Sequence, residues 1–264
     1  MIDIGVNLTN GRFDKDRSEV LARAKQANIS AMLVTGTNIV ESKQAIAQCQ
    51  QYPDYLYCTA GIHPHDADHA ENNYLELLHS LAQNDCVKAI GECGLDFNRN
   101  FSTPENQKRV FEGQVELAQQ LQLPVFLHQR DAFQPWFEIL TPYIDSVPAL
   151  VSHCFTGNKN ELLQCVNAGM YIGITGWVCD ERRGQALRDI VQYIPLERLM
   201  IETDAPYLTP RNIRPKPKSS RNEPSYLPYV VTELAKLMGY SEQELIQQTT
   251  LNSEKVFNIS ASNG

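Results

Sequence analysis

The chain has 264 residues, 42% hydrophobic and 20% charged, which is ordinary for a soluble globular protein and long enough for a large core. A net charge of −8 argues against a protein that coats long duplexes through a broad basic face, but leaves room for a local contact to a phosphate chain. No apolar run approaches the roughly 18 residues of a membrane span, and the start, MIDIGVNLTN, lacks the basic and apolar regions of a secretory signal. Seven cysteines with no C-x-x-C pair read as reduced thiols of a cytoplasmic protein. The paired spacing of a zinc–cysteine site is missing.

Strand and helix signals alternate along the whole chain. Residues 2–8 read as a first strand and 14–27 as an amphipathic helix with Val20, Leu21 and Ala24 on one side. Strands follow at 31–37, 55–62 and 87–92, separated by helices at 40–51 and 73–83. Thr103 and Pro104 start a longer helix that runs to Leu121. Residues 124–130 and 149–154 are the fifth and sixth strands, with a helix at 132–143 interrupted by Pro135 and Pro142. A helix at 160–168 ends at Gly169. A seventh strand at 170–176, a helix at 183–193 and an eighth strand at 198–204 follow, and helices at 227–238 and 241–257 close the chain.

Eight short strands, each followed by a helix, fit an α/β fold of the (β/α)₈ TIM-barrel type, with residues 1–264 as one domain. A doubly wound open sheet is the rival, but no G-x-G-x-x-G follows the first strand and no Walker A sequence occurs. One composition shift stands out. Residues 209–224 hold four prolines and five basic side chains, Arg211, Arg214, Lys216, Lys218 and Arg221, with Glu223 the only acid. This is a long loop after the last strand, on the face where such barrels keep their active sites.

Polar residues stand at the C-terminal strand ends: Asn7, His63, Glu92, His128, His153 and Asp204. Taken singly, each has an ordinary reading as a packing residue, a turn cap or one half of an ion pair. A barrel brings them to one mouth, and two imidazoles with two carboxylates make a site for a divalent cation. Glu202 and Asp204 are two apart, so both point inward, and Arg130 stands in the same relation to His128. Arg130 is a permanently charged planar donor suited to phosphate, or to a salt bridge with Asp131. His65 and His69 read as loop residues, and Cys93 and Cys154 as packing that points away from the metal.

The stretches GIHPH (61–65), IGECGLD (90–96), PVFLHQRD (124–131), SHCFTG (152–157), YIGITGWV (171–178), IETDAPYL (201–208) and RNEP (221–224) resemble, in order, the motif series of the TatD family of metal-dependent deoxyribonucleases. The resemblance spans nearly the whole chain. It implies a metallo-dependent hydrolase barrel, phosphodiester hydrolysis and 3′-to-5′ exonuclease action on single-stranded DNA and RNA ends, with a role in DNA repair or degradation. Carried over by motif, Glu92, His128, His153 and Asp204 are the metal residues, and His63 and Glu202 serve in substrate contact or catalysis.

Many members of the wider family carry H-x-H on the first strand, where this chain has Gly5 and Asn7. One firmly held ion is therefore expected, with a second held partly by substrate phosphate. Mg²⁺ is expected first, ahead of Mn²⁺ or Zn²⁺.

The expected chemistry has Asp204 or Glu202 taking a proton from water, while His63 and Arg130 stabilise negative charge. The loop from Arg211 to Arg221 tracks the strand, and Phe97, Trp177 and Tyr207 either stack on bases or pack in the core or rim. The protein is expected to act as a monomer without a membrane. A metal-dependent amidohydrolase or esterase on the same barrel is the alternative, and a non-catalytic nucleic-acid-binding barrel is a third reading.

Overall fold

The structure is a computed structural model that describes residues 1–260, so the last four residues of the expected domain lie outside it. Eight parallel strands run in sequence order: β1 (Ile2–Val6), β2 (Ala31–Val34), β3 (Leu56–Ala60), β4 (Val87–Asp96), β5 (Val125–Arg130), β6 (Leu150–Ser152), β7 (Tyr171–Ile174) and β8 (Leu199–Ile201). The sheet closes between β8 and β1. Asp204 N–H donates to the Gly5 carbonyl, and Asn7 N–H to that of Ala205, both at 2.8 Å. Asp3, buried in β1, accepts from the Thr203 backbone at 2.9 Å and its hydroxyl at 2.5 Å. This seam fixes the segment that carries Glu202 and Asp204.

The helices are α1 (Arg17–Gln26), α2 (Ile39–Gln51), α3 (Tyr74–Leu81), α4 (Pro104–Leu121), α5 (Phe133–Leu140), α6 (Lys159–Asn167), α7 (Gln185–Ile190), α8 (Leu227–Met238) and α9 (Glu242–Phe257). Among the described residues none is long and apolar enough to cross a membrane. Alternation along the strands splits the core in two. Ile4, Leu33, Ala89, Phe126, Val151 and Met200 fill the barrel interior, joined from α9 by Phe257. Val34, Cys58, Ile90, Leu127 and Ile172 belong to the outer layer under the helices. Ser241 and Glu244 start α9 with a capping box.

Several boundaries differ from expectation. β4 does not stop at Glu92 but runs on to Asp96 beside β5, with a register shift between Gly91 and Cys93. Gly91 and Gly94 have φ of 136° and 149°, and a Cβ on either would meet a β5 carbonyl. β8 is shorter than expected, three residues long, because the chain turns towards β1. Thr103 occupies the α4 N-cap, but its hydroxyl bonds Asp68 instead of capping the helix. Pro135 sits in the first turn of α5, where no intrahelical N–H is lost. The helix expected at 183–193 shortens to α7 with a 3₁₀ turn behind it.

Candidate active site

At the C-terminal mouth of the barrel lies a cavity of about 660 Å³. Its lining includes Asn7, His63, Glu92, Asp96, His128, Arg130, His153 and Asp204, contributed from six strands or their exits. The centre is Glu92. Its Oε1 lies 2.7 Å from His153 Nε2, 3.0 Å from His128 Nδ1 and 3.4 Å from His63 Nε2. One carboxylate oxygen thus meets three imidazoles from three other strand ends. Burial pushes the Glu92 carboxyl up, but the imidazoles of His153 and His63, with hydrogen bonds from His128 and His153, hold it well below the usual carboxylate range.

Each histidine is fixed from behind. The side chain of Glu202 is fully buried, outside the cavity lining, with Oε2 3.2 Å from His153 Nδ1 and Oε1 accepting the Cys154 N–H at 2.5 Å. A proton on Nδ1 then leaves Nε2 facing the cavity. Burial lowers the His153 imidazole, but Glu92 and Glu202 lift it well above its ordinary range. Glu202, expected in substrate contact or catalysis, packs under His153 beside Gly5 and Gly173, where β8 has ended at Ile201.

His63 receives the His65 backbone N–H on Nδ1 at 3.1 Å, so its neutral ring carries the proton on Nε2 and is a donor to the cavity. Burial lowers this imidazole to about 4, against the pull of Glu92, and keeps it neutral near pH 7. His128 Nε2 is buried without a hydrogen-bond partner among the described residues, 3.4 Å from Asp96 Oδ2. Asp96 is paired with His65 Nε2 at 2.7 Å. His65 therefore belongs to the site and is not the loop residue expected. Neither its role nor that of Asp96 was anticipated. Their signal was present, since Asp96 is four residues beyond Glu92 on one extended strand.

Asp204 lines the cavity and accepts Asn7 Nδ2 at 2.9 Å, so Asn7 serves as a donor to a carboxylate. Burial lifts the Asp204 carboxyl to about 7; His153 opposes this, and Glu92 and Glu202 add to it. The carboxylates of Glu92 and Asp204, crowded here among buried imidazole nitrogens, make a place where a cation is favoured. The imidazole and carboxylate donors suit a divalent metal, and ligand atoms of His63, Glu92 and His128 lie within 4.8 Å of one another.

The outer residues divide. Arg130 is exposed, lines the mouth and has no ion pair among the described residues; the bridge to Asp131 is not formed. Trp177 and Tyr207 line the cavity, whereas Phe97 packs against the core and the exposed Phe101 takes the mouth position. Cys154 also lines the cavity instead of pointing away, because β6 has ended and its backbone is left-handed at φ 45°.

Arg211 and Arg221 are outside the cavity lining. Arg211 Nε lies 3.0 Å from Asp180 Oδ2. Arg221 grips Asp16 with contacts of 2.6 and 2.7 Å, donates to the Arg12 carbonyl at 2.8 Å and lies over the Phe13 ring. Both expected substrate contacts are engaged in fastening loops, Arg211 by the buried Asp180 and Arg221 by the half-buried Asp16.

A family model described as TatD related DNase matches residues 2–258. The chain belongs to the TatD family. A relative from Pectobacterium carotovorum, named 3′-5′ ssDNA/RNA exonuclease TatD, is 54% identical over 98% of this chain and all of its own length. One of the same name from Salmonella typhimurium is 50% identical over 98% of this chain and 99% of its own. Among solved structures, a TatD family hydrolase from Entamoeba histolytica superposes with a TM-score of 0.89 at 28% identity, covering 98% of both chains. The TatD homologue YJJV of Escherichia coli K12 gives 0.89 at 27% identity, again covering 98% of both chains. An organophosphorus hydrolase from Deinococcus radiodurans, at 10% identity and 0.65, shares the fold alone. TatD family membership therefore favours the nuclease over the amidohydrolase or esterase alternative.

Proposed function

We propose that this chain is a divalent-metal-dependent nuclease that removes nucleotides from the 3′ end of single-stranded DNA or RNA in the cytoplasm. The observation that carries the reading is the meeting of Glu92 Oε1 with His128 and His153 at a cavity mouth, in a chain of the TatD family. The relatives' names supply the polarity and the single-stranded substrate. The cavity volume is in the range that encloses a group of small-molecule size, which suits a strand end better than a duplex.

Glu92, His128, His153 and Asp204 are the residues that would hold the metal, with Mg²⁺ preferred over Mn²⁺ or Zn²⁺ because the first strand offers Gly5 and Asn7 where an H-x-H would add two imidazoles. A divalent cation there supplies a Lewis acid and lowers the pKa of a water bound to it. The remaining work falls to the chain. Arg130 attracts the incoming phosphate at the rim. His63 Nε2–H donates to a phosphoryl oxygen and steadies the charge that builds on it. Asp204, at the cavity and beside the residues that would hold the metal, would accept the proton of the attacking water. Trp177, Tyr207 and Phe101 offer faces on which terminal bases stack.

The test is cleavage of a 5′-labelled single-stranded oligonucleotide with either a free or a blocked 3′ end. The proposal predicts a ladder of shortening products from the free end and protection of the blocked strand. Equal cleavage of both strands, or products only from the 5′ side, would overturn the polarity.

A further inference from the structure

Three cysteines far apart in the sequence meet in space. Cys49 lies in the last turn of α2, Cys58 in β3, and Cys86 in the turn before β4. Their Sγ atoms all lie within 4.8 Å of one another. The backbone locks two of them in place, with Cys58 N–H donating to the Cys86 carbonyl at 2.9 Å. Cys49 and Cys58 are buried in the outer core layer, while Cys86 is only partly covered and gives the trio a side towards solvent. None of the three lines the catalytic cavity. Cys86 precedes Glu92 by six residues of chain, about 20 Å along an extended strand. All three thiols are free.

We propose that Cys49, Cys58 and Cys86 form a three-thiolate site for a soft d¹⁰ cation, separate from the nuclease centre. Soft sulfur donors select Cu⁺ and Zn²⁺ over Mg²⁺, so the two sites draw on different metals. The spacing suits sulfurs converging on one ion at about 2.3 Å each. No histidine or carboxylate joins the group among the described residues, which favours the three-coordinate geometry open to Cu⁺. Zn²⁺ would add a water from the side left open at Cys86.

Hydrogen bonds from the Cys49 and Cys58 thiols bring Cys86 down to about 3, while those neighbours and burial push Cys58 up. Of the three, Cys86 is the thiol most readily deprotonated. Binding as three thiolates releases the thiol protons to solvent. Sequence reading misses the site because its members are 9 and 28 residues apart, without the paired spacing of a zinc motif.

The experiment is a titration of the full-length, reduced protein, apo at the trio, with Cd²⁺ as an optical probe, then with Cu⁺ and Zn²⁺ in competition with chromogenic chelators. The expected result is a thiolate-to-metal charge-transfer band that saturates at one equivalent. Cys86→Ser and Cys49→Ser should each weaken binding by at least about 10–100-fold. Cys165→Ser, an equally buried cysteine outside the trio, should bind as the parent does. Far-ultraviolet circular dichroism establishes that the variants are folded. Cu⁺ or Zn²⁺ displacing Cd²⁺ identifies the preferred ion. Absence of the band in the parent protein, or its survival in both folded trio variants, would overturn the site.

Discussion

Glu92 Oε1 and His153 Nε2 lie 2.7 Å apart, although one side chain comes from β4 and the other from the exit of β6. Two groups that both coordinate cations are thus aimed at one point, and each is held there by other partners. Replacing either removes a donor and breaks the shortest contact its partner makes. Changes in outer-shell partners alone cost about 10–100-fold in metal affinity or activity, so Glu92→Ala and His153→Ala should each lose more than about 100-fold in kcat. Single-turnover hydrolysis, with circular dichroism to establish folding, checks this. Near-parental rates in both would remove Glu92 and His153 from the site.

The pair His65–Asp96 stands behind His128. Asp96→Asn keeps the shape but removes the charge, so His128 loses its outer anchor. Activity should fall about 10–100-fold, with weaker metal affinity by calorimetry. An unchanged metal affinity would mean that Asp96 only organises the loop.

Much of this was legible in the sequence. Strand-end polar residues at a barrel mouth single out Glu92, His128, His153 and Asp204, because strand alternation and barrel closure leave few other places for such groups. His65 and Asp96 were missed because β4 was expected to end at Glu92, and its extension depends on pairing with β5, a tertiary effect. Arg211 and Arg221, expected as substrate contacts, meet carboxylates of the chain in this structure. A basic loop carries phosphate-binding chemistry in its composition, but its nearest carboxylates, Asp180 and Asp16, are brought up only by the fold.

That difference separates two arginines. Arg130→Gln should raise KM for an oligonucleotide by roughly five- to ten-fold, corresponding to about 1 kcal/mol, and leave the melting temperature alone. Arg221→Gln should do the reverse, costing about 1 kcal/mol of stability and about 2–4 °C in Tm. A steady-state titration and a thermal melt of each variant check the split. A KM effect at Arg221 as large as that at Arg130 would return it to the substrate path.

The same ion pair sets an acid limit. Hydrogen bonding to Arg221 brings the Asp16 carboxyl down to about 2, below its unfolded value near 3.9. A depressed carboxyl stabilises the fold above the unfolded pKa and loses that contribution as pH falls, here between about 4 and 2. Denaturant melts across that window should show a shallower pH slope in Arg221→Gln than in the parent protein. Parallel slopes would contradict the coupling.

Gly5 leaves room for the Glu202 carboxylate, and a Cβ there would run into Glu202 Oε2. Glu202 is held by His153 and the Cys154 N–H, so it has little freedom to yield. Gly5→Ala should cost about 1–3 kcal/mol in stability and lower kcat by turning His153 out of line. Thermal melts and kcat measured together test this; parental values for both would show that Glu202 shifts without consequence.

The central claim is that Glu92, His128, His153 and Asp204 hold a divalent ion that makes this TatD family chain a 3′ exonuclease. The most direct measurement strips the protein with EDTA, restores Mg²⁺, Mn²⁺ or Zn²⁺ in turn, and follows a 5′-labelled single-stranded oligonucleotide alongside Glu92→Ala. Stepwise loss of 3′ nucleotides that returns with metal in the parent protein, and in no case with Glu92→Ala, is the predicted result. Hydrolysis that survives EDTA, or that Glu92→Ala performs equally well, would contradict it.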